Sequence, residues 1–154
     1  MMRRIAFVCM TPEPDAGELG NLQLPSYGVH RVLASVIADP ALRDAKVALI
    51  DARRPDVDAY IQAIEHFAPD LIGFSIYVWS TPSLIEVARR VKARRPQCTI
   101  VFGGPSARPA VFDLPPYAPA REYVDAVVTS EGESVFTEIA RLPELSAASL
   151  RRAA

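Results

Sequence analysis

Five short apolar runs, each closed by punctuation residues, constrain this chain more than any other feature: Ile5–Cys9, Val47–Ile50, Leu71–Ile76, Thr99–Phe102 and Ala126–Thr129. Near-continuous hydrophobicity over so few residues marks central strands buried on both faces. Between the runs, apolar residues recur at helical spacing: Val29, Val32, Val36; Val57, Tyr60, Ile61, Ile64; Leu84, Val87, Ala88, Val91; and Val135, Phe136, Ile139. Each set paints one apolar stripe. Strands alternating with one-sided helices, joined by right-handed crossovers, predict an α/β three-layer sandwich around a five-stranded parallel sheet of order 2-1-3-4-5. Residues 106–123 carry Pro109, Pro115, Pro116 and Pro119, so a short helical turn with extended stretches is expected there in place of a regular helix. The expected domain is 1–144. Residues 145–154 read as a helix-prone tail or the start of a linker.

Composition narrows the function classes. The chain has 154 residues, half of them hydrophobic, enough for one buried core. A net charge of -1 lacks the basic excess of a nucleic-acid binder. Two cysteines, Cys9 and Cys98, make neither a disulfide framework nor a metal-ligand cluster. The five apolar residues after Met-Met-Arg-Arg are too few for a signal-peptide core, so a cytoplasmic, unexported protein away from membranes is expected.

In an open parallel sheet the ligand sits beyond the carboxyl ends of the strands, where strand order reverses. The first run is followed by the long connection Met10–Tyr27, and loops of that length in a compact domain are functional or disordered. The third runs into Ser75-Ile76-Tyr77-Val78-Trp79-Ser80-Thr81-Pro82, where Ser80 or Thr81 can cap the next helix and Pro82 suits its first turn. The fourth ends in Gly103-Gly104-Pro105, where absent side chains admit a ligand to the backbone. The fifth ends in Ser130-Glu131-Gly132-Glu133. Small residues, hydroxyls and aromatics on one edge suit a large, mostly uncharged ligand.

The usual occupants of such a sheet fail residue by residue. No GxGxxG follows the first run and no GxxxxGK[ST] occurs. A phosphoacceptor receiver would want acids after the first strand, an Asp ending the third and a Lys ending the fifth, where Met10-Thr11, Ser75 and Thr129 stand. The acidic, proline-stiffened Thr11-Pro12-Glu13-Pro14-Asp15 would repel a flavin phosphate.

The runs Pro69-Asp-Leu-Ile-Gly-Phe-Ser-Ile-Tyr-Val-Trp-Ser80, Val101-Phe-Gly-Gly-Pro105 and Val124-Asp-Ala-Val-Val-Thr-Ser-Glu-Gly-Glu133 carry a resemblance, joined in order by Pro25-Ser26-Tyr27-Gly28. Together they resemble the amino-terminal cobalamin-binding domain of cobalamin-dependent radical SAM enzymes, a Rossmann-like, flavodoxin-like fold. The resemblance implies that Ser75, Gly103 and Gly104 receive the nucleotide tail of cobalamin, that Glu131 and Gly132 flank it, that Tyr77, Val78 and Trp79 line the corrin's lower face, and that Ser80 and Pro105 also belong to the cofactor-binding set. The Asp-x-His-x-x-Gly motif that supplies an axial histidine elsewhere is missing: His30 has neither the aspartate before it nor the glycine after it. The resemblance therefore implies a base-off corrinoid without a histidine ligand, and no residue of this chain as a metal ligand. The CxxxCxxC motif that holds a [4Fe–4S] cluster for S-adenosylmethionine chemistry cannot be made from Cys9 and Cys98. Those cofactors would belong to an absent catalytic domain, and this chain alone would be inactive.

Other readings attach to single features. Tyr77 and Trp79 by themselves would cap a core. Glu131 and Glu133 suit a helix start better than acid–base work. Arg89, Arg90, Lys92, Arg94 and Arg95 suit a solvated helix end. The expectation is the cobalamin-binding domain of a radical SAM methyltransferase, with a non-catalytic flavodoxin-like interaction domain as the alternative.

Overall fold

The computed structural model describes residues 2–12 and 26–153. Most of the Met10–Tyr27 connection, including Glu13 to Pro25, therefore lies outside the described residues. The five strands are β1 (Arg4–Cys9), β2 (Lys46–Asp51), β3 (Leu71–Ser75), β4 (Thr99–Gly103) and β5 (Ala126–Val127). They form one parallel sheet of order β2-β1-β3-β4-β5, as the alternation of strands and helices predicts. Helices α1 (Tyr27–Ala38) and α4 (Gly132–Arg141) pair on one side; α2 (Val57–Phe67) and α3 (Thr81–Arg94) pair on the other. No helix among the described residues is long and apolar enough to cross a membrane.

The sheet divides the core in two. Tyr60, Ile61, Ile64, Leu84, Val87 and Val91 pack beneath α2 and α3 against Ile72, Phe74, Ile100 and Phe102. On the opposite side Val29 and Val36 of α1 and Phe136 and Ile139 of α4 meet Ile5, Phe7, Leu71 and Val101. Alternate strand residues thus serve opposite cores, which is why β1, β3 and β4 read as unbroken apolar runs. The outer strands depart from that expectation. In β2 no residue is fully buried, and Leu49 is exposed, because an edge strand is covered on fewer sides. The last strand keeps two residues, its start fixed by Asp125, whose carboxylate accepts the Ile100 amide at 2.7 Å.

The proline-rich stretch folds as two 3-10 turns, Pro109–Asp113 and Ala118–Glu122, which insert Phe112 and Ala120 into the α2/α3 core. The tail forms α5 (Ala147–Ala153), and its Leu150 is buried on the α1/α4 core. The basic end of α3 is laced with ion pairs: Arg89 and Arg90 to Glu86, Arg90 to Asp58, and Lys92 to Asp125, all within 2.8 Å. Most are exposed, and such pairs add little to stability.

Candidate functional site

The carboxyl ends of β3 and β4 are bolted together by backbone. The Ile76 amide donates to Gly103 O at 2.9 Å, and the Ser106 amide donates to Ile76 O at 3.2 Å. This brings the β4 loop so close that only glycine fits at 104. Its φ is +94°, and a Cβ there would stand 2.8 Å from Ile76 O and 3.0 Å from Ile76 N. The Ser75 hydroxyl lies beside the same spot, 3.3 Å from that Cβ position.

The turn after β3 folds on Tyr77. Its carbonyl accepts the Ser80 and Thr81 amides and the Thr81 hydroxyl, the last at 2.7 Å. The Ser80 hydroxyl accepts the Tyr77 amide at 3.0 Å and donates back to Tyr77 O at 3.3 Å. This corrects the expected cap: Ser80 precedes α3, but its side chain turns back into the loop and makes no bond to the helix amides. Ser80 is also fully buried, so it shapes the turn and presents no surface to a ligand. Tyr77 and Trp79 stack with ring centroids 4.6 Å apart, and Trp79 Nε1 donates to Met10 O at 3.1 Å. Trp79 is about half exposed and Val78 more so, 51% and 78%. They stand outward from the core, against the core-capping alternative.

A cavity of about 250 Å³ opens between α1, α4 and the sheet. Of the expected site residues, Ser75, Tyr77, Gly103, Gly104, Pro105 and Gly132 line it; Val78, Trp79, Ser80 and Glu131 do not. Its inner walls are Phe7, Val29, Val101, Val128 and Phe136, and its floor is Gly73. A Cβ on Gly73 would stand 2.7 Å from Phe136 Cε2, so the missing side chain is what lets the two aromatic rings close over the sheet. Gly73 is not among the expected site residues, although a glycine inside a buried strand signals a close approach. The packing of Phe7 and Phe136 depends on crossovers that no local pattern announces.

Two ion pairs clasp the helices that wall the cavity. Arg31 of α1 meets Glu133 of α4 at 2.7 Å, and Arg141 of α4 meets Asp39 beyond α1 at 2.6 Å. Glu133 thus bridges helices, and neither it nor Glu131 caps α4 through its side chain. The Arg141 guanidinium holds the Asp39 carboxyl below its ordinary range. His30 is exposed in the first turn of α1, its Nδ1 2.9 Å from Ser26 O, and does not line the cavity. Among the described residues, no group of three or more His, Cys, Asp and Glu side chains could hold a metal ion.

Neither thiol is reactive chemistry in waiting. Burial, with the neighbouring Asp51 carboxylate 3.5 Å away, pushes the Cys9 thiol up to about 12, and burial pushes Cys98 up to about 11. Unfolded thiols ionise near 9, so the folded state holds these protons over a range where the unfolded chain releases them. That contribution to stability is whole below about pH 9 and is lost as pH rises through the folded values. Denaturation midpoints should therefore fall above pH 9. At pH 8 a disulfide reagent should label the folded chain about a hundredfold more slowly than the denatured one; rapid labelling of native protein would contradict the burial.

A parallel sheet of order 2-1-3-4-5, with a cavity at the carboxyl ends of its middle strands, defines a doubly wound α/β domain built to take a ligand there. The chain belongs to the B12-binding domain family, whose model matches residues 25–140, and is thus a cobalamin-binding domain. It is similar to 2-(S-pantetheinyl)-carbapenam-3-carboxylate methyltransferase of Streptantibioticus cattleyicolor, 43% identical over 72 residues, 46% of this chain and 10% of that protein. The cobalamin-dependent radical SAM methyltransferase TokK of Streptomyces tokunonensis is 37% identical over 73 residues, again 46% of this chain and 10% of the relative. The hopanoid C-3 methylase of Methylococcus capsulatus is 28% identical over 129 residues, 82% of this chain and 24% of its own length. The chain thus spans at most about a quarter of these curated relatives. A crystal structure of a cobalamin-binding protein from Desulfitobacterium hafniense shares the fold, with a TM-score of 0.58 at 16% identity over 90% of this chain and 57% of that one.

Proposed function

We propose that this chain holds a cobalamin base-off for a radical SAM methyltransferase, with the nucleotide tail in the cavity between α1 and α4 and the corrin over the Tyr77–Trp79 turn. The observation that carries this reading is the cavity itself, roofed by glycine backbone at 103 and 104 and walled by apolar side chains, where a planar base can slide between helix and sheet. Ser75 offers its hydroxyl at the entrance, Pro105 stiffens the β4 loop, and Glu131 and Gly132 flank the opening where α4 begins. Gly132 is close-packed as well, since a Cβ there would stand 3.1 Å from Val32 Cγ2.

Tyr77, Val78 and Trp79 would meet the lower face of the ring. None of them is a strong cobalt donor, and His30 is held at the start of α1 away from the cavity. Bound cobalamin would supply a cobalt centre able to carry a methyl group. The chain's own residues would seat the tail and shield the ring on the side of the Tyr77–Trp79 turn. The [4Fe–4S] cluster and S-adenosylmethionine are assigned to a catalytic domain, in the same or a separate polypeptide, and the present chain by itself is inactive.

The test is a visible spectrum after incubation with hydroxocobalamin and desalting. Co-eluting colour with base-off band positions is expected, and His30→Ala should leave those bands in place. A band shift in that variant would reveal histidine ligation. A colourless protein, here and with a chain extended through its catalytic domain, would overturn the assignment.

A further inference from the structure

The lining of the cavity is graded. Its polar groups, Ser75, Tyr77, Ser130 and Glu133, stand at the entrance, where each is exposed or half-buried. Further in, Phe7, Val29, Val101, Val128 and Phe136 are all at most 6% exposed, and none carries a polar side-chain atom. Two stretches of the inner backbone are also committed. Gly73 lies in register between Phe7 and Val101 in the parallel ladder, and the Val128 amide donates to Phe102 O at 2.8 Å. Glu133 is engaged by Arg31.

We propose that this cavity selects the corrinoid by the polarity of its lower base, accepting an apolar benzimidazole and rejecting a purine. The inference rests on the tail occupying the cavity, as proposed above. Benzimidazole and adenine are bicyclic and of similar size, so shape discriminates little between them. Beyond the atom joined to ribose, a benzimidazole brings one ring nitrogen, whereas adenine brings several and an exocyclic amine. Away from the Gly103 and Gly104 backbone, a polar atom carried past the entrance loses water and meets apolar side chains. A buried polar group left without a partner lowers affinity by about tenfold, the equivalent of about 1.4 kcal/mol.

The test is equilibrium titration of the chain with three corrinoids: cobalamin, its adenine-based analogue, and cobinamide, which lacks the nucleotide tail. Cobalamin should bind at least about tenfold more tightly than either of the others. Equal affinity for cobalamin and the adenine analogue would overturn the selectivity while leaving cobalamin binding intact. Cobinamide binding as tightly as cobalamin would show that the tail is not seated in the cavity, which also overturns it. Failure of all three to bind would overturn the underlying reading, and the selectivity with it.

Discussion

Gly104→Val is expected to strip the chain of corrinoid. The residue sits at φ +94°, where a β-branched side chain is strained, and its Cβ would stand 2.8 Å from Ile76 O, an oxygen already bonded to the Ser106 amide. Neither neighbour is the flexible end of a side chain. The β4 loop must therefore lift away from the β3 turn, at a cost of about 1–3 kcal/mol in backbone strain alone. That movement displaces Gly103 and Pro105, which line the cavity, and leaves the Ser75 hydroxyl facing a hydrocarbon branch. Retention after desalting should fall by at least about tenfold, the equivalent of 1.4 kcal/mol. Gly104→Ala should move in the same direction by less. Full retention by the valine variant would remove the β4 loop from the binding site.

Phe136→Ala should be the most destabilising single change in the α1/α4 core. Its ring is 4% exposed and packs on Phe7 with centroids 4.9 Å apart. Truncating a buried phenylalanine costs about 3–5 kcal/mol, and the hole it leaves would open into the cavity that its ring walls. Gly73→Ala should cost about 1–3 kcal/mol by overpacking, because its new methyl would press on Phe136 at 2.7 Å. The two changes should be strongly coupled. In the Phe136→Ala background the Gly73→Ala penalty should largely vanish, leaving only the 3.3 Å approach to Phe7 Cδ1. Denaturant midpoints of the two single variants and the double variant measure this directly. Simple additivity would show that Gly73 and Phe136 do not meet as described.

The sheet order is readable because β1, β3 and β4 are buried on both faces and the crossovers as far as β4 are helices of ordinary length. Tyr77, Gly103 and Gly104 were readable because strand ends are where such sheets bind ligands. Ser80 departs from the expected cap for a physical reason. A hydroxyl before a helix has two sets of backbone groups within reach, and the tight turn on Tyr77 claims it first. The edge strands are less buried than their hydrophobic runs predict, since such runs do not say how many neighbours a strand has. The inner cavity walls were invisible for a related reason. Phe7, Val101 and Phe136 are ordinary core residues in sequence, and only the three-dimensional crossing of β1, β4 and α4 leaves a gap among them.

The two-sided core gives the domain an uneven rigidity. Phe7, Val29, Val101, Val128 and Phe136, which line the cavity, belong to the α1/α4 core; of the buried α2/α3 core, Phe74 alone reaches it among the described residues. With the nucleotide tail seated as proposed, the α1/α4 half is finished by what it binds. Local opening should be easiest around α1 and α4, and a ligand wedged there stabilises that half by mass action while leaving the opposite layer nearly untouched. Amide protons under α2 and α3 then report the folding of the polypeptide, and those under α1 and α4 report its occupancy.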